Sequence, residues 1–185
     1  MTLMNRRVLL TGAAATVGLS ACGNGIGSEG AEKLDARVDS ALNFLDSQYP
    51  GTRDLRAKSV GMLVMPLVTE ASFGFGASYG RGALRVREIS VDYYSATQAS
   101  FGIQAGAQQY AHVLYFMTEE ALSDFRTSSG WAAGTDIEYV VNDRGANLSA
   151  ETTTVLSPVI AVVFGQAGLA AGASVEGTKY TRIIP

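Results

Sequence analysis

The chain has 185 residues, 14 Lys plus Arg against 17 Asp plus Glu, one histidine and one cysteine. A formal charge of −3 argues against a general nucleic-acid binder, one histidine against the usual His-rich zinc sites, and one cysteine against a disulfide framework. The length suits one domain with a proper core, not two.

Arg6 and Arg7 form a positive leader, Val8 to Leu19 is apolar but too short to span a bilayer, and Leu19-Ser20-Ala21 places small residues before Cys22. This predicts a lipoprotein signal peptide over 1–21, cleaved before Cys22. The Cys22 thiol is expected to carry diacylglycerol, and the new N-terminus an acyl chain such as palmitate, which makes a durable anchor. Asn5-Arg6-Arg7 also fits a twin-arginine signal, so export is of Sec or Tat type. Gly23 after the cysteine gives no retention signal, and the expected location is the outer membrane, facing the periplasm. Residues 22–30 have the composition of a flexible tether, and 31–185 form the domain.

From Ala31 to Leu45, Leu34, Val38, Ala41, Leu42 and Leu45 recur at helical spacing, with Asp35, Arg37, Asp39 and Asp46 on the other face. Tyr49-Pro50-Gly51 ends this helix, and Thr52 is expected to cap a short second one bearing Arg53, Arg56 and Lys58. Gly61 to Val68, broken by Pro66, reads as a strand. Then the period becomes two. In Ser72 to Gly80, Phe73, Phe75, Ala77 and Tyr79 oppose a nearly bare side of serine and glycine, and the division recurs in 99–108 and 168–176. Such a side implies close approach of something to the backbone: tight curvature or a packed layer, or a ligand on the glycine face. Further strands are expected over 83–91, 110–117, 137–141 and 159–164, a helix capped by Thr118 through Phe125 or Arg126, and a polar loop over 142–157. The fold class is α+β: a curved, mostly antiparallel, glycine-rich, barrel-like sheet covered by helices, in one domain.

Gly76-Ala77-Ser78-Tyr79-Gly80 has the letters of a nucleophile elbow, and Asp92 and His112 follow in hydrolase order. An elbow needs a strand-to-helix turn at the serine, whereas a strand continues through Arg87, so catalysis is not expected. His112, flanked by apolar residues, reads as a satisfied sheet histidine. No metal or cofactor is expected. Arg81, Arg85 and Arg87 point to one side at spacing two and, with Arg53, Arg56 and Lys58, form a cationic set. It suits either a phosphate headgroup or a solvated face paired with acids such as Glu88 and Asp92.

Ala57 to Pro66, Phe73 to Gly82, Tyr93-Tyr94 leading into Ala99 to Gln108, and Gly168 to Gly177 resemble the SYLF domain family, over roughly Leu34 to Thr181. The resemblance implies a non-enzymatic phospholipid-binding domain, with phosphoinositides as ligands in eukaryotic members, acting through an amphipathic N-terminal helix and basic residues. Here the helix from Ala31 to Leu45 and Lys58 are the parts that would carry this over. The expected partner is an anionic membrane phospholipid. Arg53, Arg56, Lys58, Arg81, Arg85 and Arg87 are its headgroup candidates, and Phe73, Phe75 and Tyr79 the acyl or core contacts. The alternative is an envelope scaffold whose acyl anchor alone touches the membrane while the sheet binds an unknown protein partner.

Overall fold

A computed structural model describes residues 29–134, 137–140, 157–165 and 175–185. The leader, Cys22, most of the tether, most of the polar loop over 142–157 and most of the third glycine-rich segment lie outside the described residues, as does the side chain of Phe73.

Helix α1 (Gly30–Gln48) is followed by α2 (Thr52–Lys58), the long strands β1 (Gly61–Val86) and β2 (Ile89–Phe116), α3 (Glu119–Thr127), and the short strands β3 (Trp131–Ala132), β4 (Ile137–Val140), β5 (Val159–Phe164) and β6 (Lys179–Ile183). Strand β2 organises the sheet. It pairs with β1 along nearly its whole length, with β6 through 93–97 and with β5 through 111–116, all antiparallel. β3 adds antiparallel to β6, and β4 adds parallel to β5. This is the α+β class that the alternating patterns predict. No helix among the described residues is long and apolar enough to cross a membrane.

The separate strands expected over 61–68, 72–80 and 83–91 fuse into one ribbon. The residues between the first two are cross-strand partners: Gln108 Nε2 donates to Glu70 Oε2 at 2.8 Å, and Thr69 faces Gln109. The real turn falls within the predicted 83–91 strand. Arg87 (φ 51°) and Glu88 (φ 68°) are both left-handed, so Val86 pairs with Ile89 across a two-residue hairpin. Such turns usually carry Asn-Gly or Asp-Gly, and Arg-Glu gave no such signal.

The ribbon folds back on itself. A Cβ built on Gly82 would lie 2.1 Å from the Val64 carbonyl oxygen, and one on Gly80 2.8 Å from that of Leu67. The second half of β1 therefore passes over its own first half, at a separation only glycine permits. At these two positions the bare face is a device of curvature rather than a ligand surface. Phe75 and Tyr79, on the opposite, convex side, are 75% and 54% exposed, so they are not core contacts.

The alternation of β1 and β2 fills two apolar layers. Leu63, Met65, Leu84, Leu114 and Phe116 face the inside of the curl, where Phe125 of α3 meets Tyr94, Phe116, Trp131 and Tyr180. Met62, Val64, Val113 and Tyr115 face α1, whose Val38, Leu42 and Leu45 cover them. Burying each of these aliphatic side chains contributes about 1.5–3 kcal/mol. Thr118 caps α3 as expected, accepting from the Ala121 amide at 3.2 Å. Thr52 does not cap α2. Gly51 holds that position, and the buried Thr52 hydroxyl donates back to the Tyr49 carbonyl at 2.7 Å.

Candidate functional site

Helix α1 is fastened to the hairpin tip through the acids of its polar face. Asp35 accepts from Ser90 Oγ at 2.7 Å and from Tyr93 Oη at 2.9 Å. Asp39 Oδ1 sits 2.6 Å from Arg85 Nη1, and Asp46 Oδ2 accepts from Arg56 Nη1 at 3.1 Å. A face that reads as solvated from its spacing is thus a row of attachments.

These attachments change the standing of the predicted cationic set. Arg56, Arg85 and Arg87 do come together, around a cleft of about 700 Å³ between α2, the start of β1 and the hairpin tip. Glu88 and Glu119 line the same cleft. Arg56 donates through Nε to Glu88 Oε1 at 3.0 Å and makes a second contact with Glu88 through Nη2. That hydrogen-bonded pairing raises the Arg56 pKa and lowers the Glu88 pKa from their ordinary values. Arg85 has a side chain only 9% exposed, spent on Asp39. Arg81 and Arg85 keep alternate positions along β1 with Ala83, on the side that faces α1, since the register shift at Arg85 places its extra residue on β2. Arg87 leaves the strand at the turn and does not share that side. Arg53 and Lys58 are exposed on α2, and Arg81 is partly exposed on β1; none of the three lines this cleft.

A second cleft opens on the other flank of α1, and the sequence reading placed no site there. It measures about 480 Å³, with Arg37, Ser40, Ala41 and Phe44 of α1 on one wall. Pro66 and Leu67 of β1, Ala111 of β2, and Phe164 and Gly165 at the end of β5 form the other. Its origin is local. Pro66 has no N–H to give the ladder, and the register jumps from Met65↔His112 to Val68↔Tyr110, leaving Pro66 and Leu67 opposite Ala111 alone. This bulge bends the strand beneath a stretch of α1 that offers only Ser40 and Ala41 to fill the space. The Phe44 and Phe164 rings stack at 6.1 Å and 19° to form a wall of the cleft. Among the described residues, Arg37 is the only charged one lining it.

Residues 97–182 match the family model described as Ysc84: Las17-binding protein actin regulator. This chain carries a SYLF (Ysc84) family domain. No curated protein matches the chain. The matched span of the SYLF domain supplies Ala111, Phe164 and Gly165 of the apolar cleft, while α1 and β1, which complete it, precede that span.

In the SYLF domain the three residues in hydrolase order are not assembled. Ser78 is buried within β1 with no turn to a helix. Asp92 Oδ2 accepts from Arg126 Nε at 3.1 Å and Arg182 Nη2 at 3.3 Å. His112 is fully buried in the sheet and bonded through Nε2 to Tyr180 Oη at 2.8 Å, while its Nδ1 is buried with no hydrogen-bond partner, so the expected satisfied sheet histidine is only half satisfied. Among the described residues no group of three His, Cys, Asp or Glu side chains could hold a metal ion.

Burial pushes the His112 pKa down from 6.5 to about 3. The unfolded chain takes up this proton as the pH falls below 6.5, and the folded one does not until about 3. Stability should therefore be full above pH 6.5 and fall below it, by up to about 1.4 kcal/mol per pH unit from this group. Urea titrations at pH 7 and pH 4.5 should show the loss, and His112→Gln should remove this component of it.

Proposed function

We propose that this SYLF domain binds phospholipid without catalysis, as the folded part of an outer-membrane lipoprotein anchored through Cys22 and facing the periplasm. The observation that carries the reading is the cleft beside α1: among the described residues, an apolar lining of Ala41, Phe44, Pro66, Leu67, Ala111 and Phe164 with one guanidinium, that of Arg37. Apolar sites with a few oriented polar groups are how proteins hold amphiphiles and other small ligands, and an arginine suits a phosphate or carboxylate. Arg53, Lys58 and Arg87, exposed on α2 and at the hairpin tip, pair with no acid among the described residues and are available to an anionic surface.

The test is mass spectrometry of the purified full-length chain under native conditions, followed by lipid extraction. A phospholipid retained at one per chain by the Cys22→Ala form, which has no acyl attachment, is the expected result. A protein that carries no lipid and ignores anionic vesicles would refute the reading.

The exposed convex side of the ribbon favours a second reading. Phe75 is 75% exposed and Tyr79 54%, a surface suited to a protein partner of an envelope scaffold. Under that reading Phe75→Ser together with Tyr79→Ser abolishes partner capture and leaves lipid content unchanged.

A further inference from the structure

The shape and charge of the cleft beside α1 narrow its ligand beyond phospholipid in general. We infer, resting on the lipid-binding reading above, that it encloses one acyl chain of an anionic amphiphile, with the carboxylate or phosphate at Arg37. A volume of about 480 Å³ lies in the lower half of the range for one enclosed small ligand, roughly 300–1,000 Å³, and suits one long acyl chain rather than two side by side. The stacked Phe44 and Phe164 rings give it an aromatic wall.

Charge sets the orientation. Arg37 is exposed, and among the described residues it forms no ion pair and no carboxylate lines the cleft. The arginine cleft across α1 contrasts in both respects, with Glu88 and Glu119 in its wall and Arg56 and Arg85 already paired. An acidic head therefore finds an uncommitted cation only in the first cleft of the two, next to apolar surface that rewards each buried methylene by about 0.8 kcal/mol. A free fatty acid and a monoacyl phospholipid both offer this chemistry.

The test titrates the full-length Cys22→Ala chain with palmitate, with monoacyl phosphatidylglycerol and with diacyl phosphatidylglycerol vesicles. Binding of a single-chain probe at one per chain is expected, and whichever binds more tightly identifies the head group. Ala41→Trp should weaken it at least roughly tenfold by filling the cleft, and Arg37→Gln by about tenfold, with Arg37→Lys retaining most of the affinity. Should Ala41→Trp fail to fold, Ser40→Trp on the exposed edge of the same wall replaces it. Binding of vesicles with neither single-chain probe bound would overturn this inference and leave the phospholipid reading standing. Binding of no probe at all would overturn both, and single-chain binding unaffected by the tryptophan variants would place the ligand elsewhere.

Discussion

Gly82→Ala is expected to destabilise the domain by at least about 3 kcal/mol, an unusually large cost for one methyl group. The added Cβ would sit 2.1 Å from the Val64 carbonyl oxygen and 2.3 Å from Met65 Sδ. The thioether can swing aside, but the carbonyl belongs to the β1–β2 ladder and cannot move without unpairing it. The same change at Gly106, also on the side of the ribbon that the sequence shows as bare, meets nothing within 4 Å. Gly106→Ala should be neutral or stabilising by up to about 1 kcal/mol, through a less flexible unfolded chain. Urea unfolding of the two variants side by side tests whether glycine serves curvature at Gly82 rather than ligand approach. Equal effects would contradict the folded-back ribbon.

Phe125→Ala is expected to cost about 3–5 kcal/mol, the usual range for removing a fully buried aromatic side chain. Its ring lies 4.7 Å from that of Tyr94, 4.9 Å from Phe116 and 5.4 Å from Trp131, so the cavity would be walled by rigid rings that cannot collapse to fill it. Against a total stability of about 5–15 kcal/mol, this should lower the melting temperature by roughly 10 °C. Because Phe125 lies inside the curl and the apolar cleft lies outside it, lipid affinity measured well below the melting point should not change. A loss of affinity in the folded variant would mean that the two layers are coupled.

The elements that repeat a simple period were legible in the sequence. Leu34, Val38, Leu42 and Leu45 mark α1 because burial on a helix must recur at that spacing. Thr118 announces α3 because its hydroxyl can satisfy an orphan amide. The hairpin tip was not legible, since Arg87 and Glu88 adopt positive φ without the residues that favour it. Nor were β3 and β6, whose short runs lack a pattern of their own and depend on pairing with β2 and with each other.

The candidate site was legible only in its chemistry, not in its place. The sequence shows the cations but not which acids face them, because Arg56 meets Glu88 across 32 positions and Arg85 meets Asp39 across the helix–sheet interface. Arg37 drew no attention as one charge on a polar helix face. It matters because the Pro66 bulge opens the sheet beside it, and the one advance sign was a proline within an apolar strand.

The lipid-binding proposal turns on an acyl chain lying between α1 and the bulge of β1. Photolysis of a diazirine-bearing fatty acid bound to the full-length chain, followed by peptide mapping, tests it directly. Label is expected in the peptides holding Arg37 to Phe44 and Pro66 to Leu67, suppressed by Ala41→Trp. Label concentrated instead on Phe75 to Tyr79, or on the arginine cleft at Arg56 and Arg87, would contradict it.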